Sequence, residues 1–241
     1  PKIKGSEVQN ALRMLVYKKK KNESYEVDLS ANEFDIHKFF PVDSMYTFTA
    51  NAYAKGQGFD MFSKKTSLFA NVSVKKFNYG SYNLGGLIFD ASLAENKVEA
   101  KASIDNAVMD VATDLSGILQ KKRIYMDLDA NVRRLDWQKL NMVDVRLQTS
   151  QNVRLSFDTN MDKNLTFDAS MTNTYVIAPK RTFKPKDLYL GMKTTADSTH
   201  AYARAGDLDF SISCRDNINK LSGSVTMFFD KLLKQWEDKH I

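Results

Sequence analysis

The stretch LIFDASLAENKVEAKASI, residues 87–104, decides the fold of this chain. On both sides of the central Glu95-Asn96, every second residue is apolar and most of the others are polar; the apolar positions are Leu87, Phe89, Ala91, Leu93, Val98, Ala100, Ala102 and Ile104. Successive side chains of a strand point to opposite faces, so each half predicts a β-strand with one apolar and one polar face. The connection at 94–97 is too short for the helical crossover that parallel strands need. The two strands therefore form an antiparallel hairpin.

The same alternation repeats along most of the chain, in runs separated by short polar turns such as Asp105-Asn106 and Asp162-Lys163-Asn164. The further runs occupy residues 8–16, 25–31, 48–54, 68–74, 111–115, 124–132, 145–149, 153–157, 165–171, 188–192, 201–205 and 208–214. Such short connections join neighbouring antiparallel strands. The sequence predicts an all-β chain in one long meander, with residues 1–241 a single continuous domain and residues 1–220 its sheet.

Four segments depart from this alternation. Asn32–Phe40 predicts one helical turn or a corner, Gly85-Gly86 a bulge or kink, and Leu135–Asn141 a short helix inserted between strands. Residues 221–241 predict a C-terminal amphipathic helix, because apolar side chains recur there at steps of three and four: Val225, Phe228, Phe229, Leu232, Leu233 and Trp236. This helix is expected to pack on the sheet, and the alternative is a helix that lies on a membrane surface.

The net charge bears on the possible binding partners, and the single cysteine bears on what the strands bury. The net charge of +6, from 35 basic and 29 acidic residues, is too weak and too dispersed to predict nucleic-acid binding. Lys18–Lys21 reads as a charged hairpin tip, or alternatively as a contact with anionic lipid headgroups. The single cysteine, Cys214, follows Phe210 and Ile212 at strand spacing and is predicted to be a buried small hydrophobe. The first and last residues lead us to expect a piece of a longer protein.

No pattern of residues points to catalysis. The three histidines, His37, His200 and His240, are scattered, and no metal-ligand, phosphate-loop or nucleophile motif occurs. Two pairs of aspartates, Asp127 with Asp129 and Asp207 with Asp209, each lie on either side of one apolar residue. Their carboxylates are therefore predicted to lie on the polar face of a strand. We therefore expect a non-catalytic protein without metal or cofactor.

The apolar faces of so many strands raise a physical problem. A long antiparallel sheet must have its apolar face covered, closed into a barrel, or curled into a trough. A trough differs from the other two because its lining stays open to an apolar ligand. The mixture of large residues and alanines suits a packed sandwich core equally well, and composition alone leaves the three forms open.

Several segments, in the same order through most of the chain from residue 49, resemble the TamB-like proteins of Bacteroidota, relatives of the translocation and assembly module and of the AsmA-like bridge proteins. These segments are Ala54–Thr66, Tyr79–Gly86, Leu135–Leu140, Ala205–Asp209 and Phe229–Trp236. The resemblance implies an elongated trough (a β-taco-like sheet curled along its length) with a hydrophobic groove. This groove is expected to move phospholipid between the inner and outer membranes or to help assemble outer-membrane proteins. It further implies a periplasmic segment anchored in the inner membrane through a part of the protein outside this chain.

Under this resemblance the partners are phospholipid acyl chains, neighbouring segments of the same long chain, and an outer-membrane assembly partner reached through other regions. The candidate groove lining is Leu128, Phe157, Phe167, Met171, Phe210 and Ile212. Each of these side chains belongs either to such a groove or to an ordinary packed core. The alternative function is a closed β-sandwich that recognises glycan or protein, although only Trp137 and Trp236 are available for stacking on sugars.

Overall fold

The computed structural model of this chain describes residues 12–19, 24–35, 45–79 and 82–215. The helix predicted at 221–241, residues 36–40 of the predicted corner, and the side chains of Lys18–Lys21 lie outside what it describes. The strands are β1 (Leu12–Lys19), β2 (Ser24–Asp35), β3 (Met45–Gln57), β4 (Ser67–Tyr79), β5 (Tyr82–Asn83), β6 (Leu87–Ala94), β7 (Lys97–Asp105), β8 (Met109–Gln120), β9 (Arg123–Asp136), β10 (Gln148–Thr159), β11 (Leu165–Ala178), β12 (Arg181–Phe183), β13 (Leu188–Thr194), β14 (Thr199–Ala205) and β15 (Leu208–Cys214).

The strands form one antiparallel sheet in which each strand pairs with the ones next to it along the chain. The two short strands β5 and β12 pair only with β4 and β11, and the hydrogen-bonded path runs past them from β1 to β15. The sheet is open and is not closed into a barrel. The predicted fold class, an all-β meander of the trough type, is confirmed.

The described strands all belong to one hydrogen-bonded sheet. The substantial contacts of every strand are with its hydrogen-bonded neighbours. Fully buried apolar side chains are correspondingly few, namely Ala31, Ala50, Leu93, Val108 and Leu119. A sandwich would instead enclose side chains between two sheets about 10 Å apart. The described strands therefore build an apolar surface and not an enclosed core.

The turns follow from the residues that form them. Glu95 and Asn96 adopt φ of 51° and 67°, the left-handed pair that a tight hairpin turn needs, so the hairpin predicted at 87–104 is confirmed. At the predicted kink, Gly86 has φ of 92°, and a Cβ on Gly85 would lie 2.3 Å from the carbonyl oxygen of Lys75. Only glycine allows the chain to pass so close to β4.

The predicted helix at 135–141 is a single hydrogen-bonded turn instead. Leu135 and Asp136 still belong to β9, and the amide N–H of Leu140 donates to the Asp136 carbonyl at 3.2 Å. Asn141 ends the turn in the left-handed conformation, with φ of 58°. Forming a first helical turn is costly, and a segment this short gains too few further hydrogen bonds to extend it.

Candidate functional site

The register of the hairpins aligns apolar side chains into three adjacent rows that cross twelve strands, from β2 to β15. We call these rows the apolar strip. The first row is Leu29, Ala52, Val72, Phe89, Ala102, Thr113, Ala130, Val153, Met171, Leu188, Ala205 and Leu208. The middle row is Val27, Ala54, Ala70, Ala91, Ala100, Leu115, Leu128, Leu155, Ala169, Leu190, Ala203 and Phe210. The third row is Tyr25, Gly56, Leu68, Leu93, Val98, Gly117, Met126, Phe157, Phe167, Met192, Ala201 and Ile212.

Polar groups hardly interrupt the strip. Apart from Tyr25 at its β2 end, Thr113 is the polar residue in these rows, and its hydroxyl donates to the carbonyl oxygen of Ala102 at 3.4 Å. From strand spacing, the strip extends about 50 Å along the sheet and about 13 Å between its outer rows. It is thus a long, narrow apolar surface in which the hydroxyl of Thr113 is hydrogen-bonded to the backbone.

All six residues predicted to line a groove lie on the apolar strip. Phe157 on β10 pairs directly with Phe167 on β11, and the row that contains them ends at Ile212 on β15. Leu128 shares the middle row with Phe210, and Met171 lies in the first row. The structure therefore brings the predicted residues onto one continuous surface, spread over the strands from β9 to β15.

The strip is most open at β13–β15. There Leu190, Leu208 and Phe210 are 37%, 58% and 55% exposed, whereas the remaining strip residues are half-buried or buried. Leu190 and Leu208 were not among the predicted lining residues, although both sit in alternating runs. No signal in the sequence distinguishes them from neighbours such as Ile212, because exposure here depends on position across the sheet and not on residue type.

The opposite face is polar and carries cross-strand ion pairs. Asp129 accepts a hydrogen bond from Arg154 at 2.7 Å, and Lys101 lies 3.2 Å from Asp114. The Arg133 guanidinium, which donates to Asp110, holds the pKa of that carboxyl below its usual value. Such exposed ion pairs contribute little to stability but keep this face hydrated. The predicted placement of aspartates on the polar face is confirmed for Asp127 and Asp129, whose cross-strand partners all lie there.

The polar face also holds an open depression of about 490 Å³ between β8 and β11. Its side chains include Asp114, Asp129, Asn131, Asn152 and Arg154. A depression lined by charges and amides offers no apolar environment to an acyl chain, so its size does not compete with the apolar strip as a lipid surface. In the part of the chain that the structure describes, no group of three or more His, Cys, Asp or Glu side chains is placed to hold a metal ion.

Cys214 lies at the end of β15, opposite Thr199 and two positions beyond Ile212. It is half-buried, not fully buried as predicted, because within the described strands β15 has a neighbour on one side only. The described residues contain no helix long and apolar enough to cross a membrane.

Comparison with known proteins adds no relative: no family model, no curated protein and no solved structure matches this chain. The similarity to TamB-like proteins stays a prediction from the sequence. The apolar strip and its register are therefore the observations from which a function has to be argued.

Proposed function

We propose that this chain is a non-catalytic segment whose apolar strip carries phospholipid acyl chains across the periplasm, between the inner and outer membranes. The single observation that supports the proposal is the strip itself: three rows over twelve strands of one open sheet, apolar apart from Thr113 and from Tyr25 at the β2 end. An open sheet can leave this face available to a ligand, which a sandwich core would not.

The direction of the rows suits movement along the sheet. Because they run across the strands, an acyl chain that lies along a row meets a new apolar side chain about every 4.8 Å. Each methylene transferred from water to this surface contributes at most about 0.8 kcal/mol, a non-directional gain that is similar at every position. An unpaired polar group in the strip would interrupt this path, and the hydroxyl of Thr113 is paired.

Assistance to outer-membrane protein assembly is the second form of the same proposal, because an unfolded membrane strand also exposes apolar side chains. The alternative, a binding module that recognises glycan or protein, has less support. It assumed a closed sandwich, whereas the described strands form one open sheet. Trp137 is half-buried and its indole N–H donates to Thr149 Oγ1 at 3.0 Å, so this ring is part of the loop structure.

Two phenylalanines of similar exposure on opposite faces provide the test. Phe210 lies in the apolar strip and is 55% exposed, while Phe69 lies on the polar face and is 48% exposed. Phospholipid that remains bound after mild extraction is counted by native mass spectrometry for the wild type, Phe210→Asp and Phe69→Asp. Loss of half the burial energy of one phenylalanine, about 1.5 kcal/mol, predicts a roughly tenfold weaker lipid affinity for Phe210→Asp.

Phe69→Asp is the matched control, because it adds the same charge at the same exposure without touching the strip. Both variants should keep the wild-type circular dichroism spectrum, since neither side chain is buried. Phe210→Ser repeats the test without a charge if Phe210→Asp disturbs β15. Equal lipid occupancy in the two aspartate variants, or a wild-type protein that retains no phospholipid, would refute the proposal.

A further inference from the structure

The hairpin formed by the end of β11 and by β12 exposes both apolar and basic side chains. β12 pairs only with Val176–Ala178, and all of its residues are exposed. Tyr175, Ile177 and Phe183 are 49%, 37% and 39% exposed. Large apolar side chains on a short, exposed ribbon indicate an interaction surface, because strand pairing within the sheet does not require these side chains to be exposed.

The same hairpin carries a concentration of positive charge. Its exposed cations are Lys180, Arg181, Lys184 and Lys186. No acidic residue occurs between Asp168 and Asp187. None of these four cations belongs to an ion pair with another described residue. The hairpin therefore offers uncompensated positive charge to an anionic partner.

Two of these cations, Arg181 and Lys184, lie over aromatic rings, with one such pair on each face of the ribbon. Arg181 lies 4.9 Å from the ring centroid of Phe183, on the side of the sheet that Val176 shares. Lys184 lies 5.3 Å from the ring centroid of Tyr175, which pairs with Ser150 on the other side. A protein partner that docks on one face of the ribbon would contact one of these pairs. A surface that the tip enters edge-on would contact both.

We propose that the β11–β12 hairpin dips edge-on into the headgroup layer of a bilayer that contains anionic phospholipid. Tyrosine favours the membrane–water interface, because its ring is apolar and its hydroxyl is polar, and phenylalanine inserts its apolar ring at the boundary between headgroups and acyl chains. Lysine and arginine beside them are attracted to anionic headgroups. Both residue types occur on both faces of this hairpin, so headgroups on either side of it can be contacted. This inference does not depend on the proposed lipid transport, because the hairpin lies beyond the apolar strip.

The test uses flotation with phosphatidylcholine vesicles, with and without phosphatidylglycerol. The wild type should float with the anionic vesicles at low ionic strength and be released by salt, which screens exposed charges. Lys180→Glu/Arg181→Glu should lower the partition coefficient at least about 25-fold, since each cation near such a surface contributes about a fivefold change. The matched control is Lys122→Glu/Lys163→Glu, which makes the same change in charge at exposed positions on the opposite ends of the strands.

A second variant tests insertion separately from charge. Phe183→Trp should show a blue-shifted emission component with anionic vesicles that the wild type, with its own tryptophans, lacks. Equal losses in the two charge-reversal variants, or equal binding to neutral vesicles, would overturn the proposal. Binding to a soluble polyanion as strong as that to vesicles, without a shift for Phe183→Trp, would assign the hairpin to an acidic macromolecule instead.

The two proposals fail independently. Lys180→Glu/Arg181→Glu should retain its bound phospholipid in native mass spectrometry, and Phe210→Asp should still float with anionic vesicles. A hairpin variant that loses the retained phospholipid as well would show that one site serves both roles, and would overturn the assignment of a separate membrane contact.

Discussion

Replacing Asp136 with alanine is expected to release the loop at 137–147 while the sheet remains folded. The Asp136 side chain is only 4% exposed. Its two oxygens accept hydrogen bonds from the Lys139 amide N–H at 3.1 Å and from the Gln148 side-chain amide at 2.8 Å. It thereby ties the start of the loop to the first residue of β10.

The size of the effect follows from these contacts. The Asp136→Ala variant leaves the part-buried Lys139 N–H without its acceptor; such a loss costs about 1–3 kcal/mol for a fully buried group, so the lower half of this range applies here. Gln148 is half-buried, and in the variant its side-chain amide can hydrogen-bond to water instead. The loss of its hydrogen bond to Asp136 therefore costs less free energy. We expect the free energy of loop opening to fall by about 2 kcal/mol, which corresponds to roughly 30-fold faster amide exchange at 137–147.

The ionisation of Asp136 gives this prediction a dependence on pH. Burial acts to raise the pKa of Asp136, but the hydrogen bonds from Gln148 and Lys139 and the charge of Lys139 outweigh it, so the pKa lies below its ordinary value. A carboxyl whose pKa is lower in the folded state stabilises that state above its unfolded pKa of about 3.9. This stabilisation is lost as the pH falls through the folded-state pKa.

Hydrogen exchange followed by mass spectrometry measures the opening of the loop, and urea unfolding measures the sheet. Asp136→Asn is the control, because its amide keeps one acceptor and cannot ionise. We expect an intermediate exchange rate for it and no pH dependence from this site. Unchanged exchange at 137–147 in Asp136→Ala, or a protection that does not weaken toward low pH in the wild type, would refute the reasoning.

Two further predictions concern turns and close approaches in the sheet. Gly191→Ala places a Cβ about 2.1 Å from the Tyr202 ring, which must then move away and give up its hydrogen bond to Asp168. We expect a loss of about 1–2 kcal/mol in the free energy of unfolding, seen as a lower urea midpoint. Asn96→Ala forces alanine into φ of 67°, and a loss of about 1 kcal/mol is expected, whereas Asn96→Gly should unfold at the wild-type midpoint or above it. Identical midpoints for the alanine and glycine variants would contradict this turn geometry.

Much of the sheet could be predicted from the sequence because period-two alternation and short turns are local signals. The Glu95-Asn96 turn alone sets the register of its hairpin, in which Leu93 pairs with Val98. The same logic placed the six predicted lining residues on one face. Whether that face was covered depends on contacts between distant elements, and alternation contains no information about these.

The sequence predictions were wrong at positions where the alternation of apolar residues does not match the path of the backbone. The run at 145–149 alternates like a strand, yet β10 begins only at Gln148 and Val145 is 55% exposed in the loop. The amide of Trp137 donates to the Leu147 carbonyl, and this bond closes the loop before the sheet resumes. The strand at Arg181–Phe183 was missed because basic residues and two nearby prolines, Pro179 and Pro185, hide the alternation. The basic and aromatic character of this hairpin was visible in the sequence, but its clustering on both faces was not.

Among the described strands, the substantial contacts of each strand are with its hydrogen-bonded neighbours, and these neighbours follow one another along the chain apart from the short β5 and β12. This part of the sheet therefore behaves as a quasi-linear array of hairpins. Stability in such an array is a sum of nearest-neighbour terms, so damage to one hairpin spreads only to the adjoining ones. Folding can begin at any tight turn and proceed outward, since it never waits for two distant parts of the chain to meet. Length becomes an adjustable property: deletion or duplication of a whole hairpin should shorten or extend the array by about 10 Å without altering the remaining pairings.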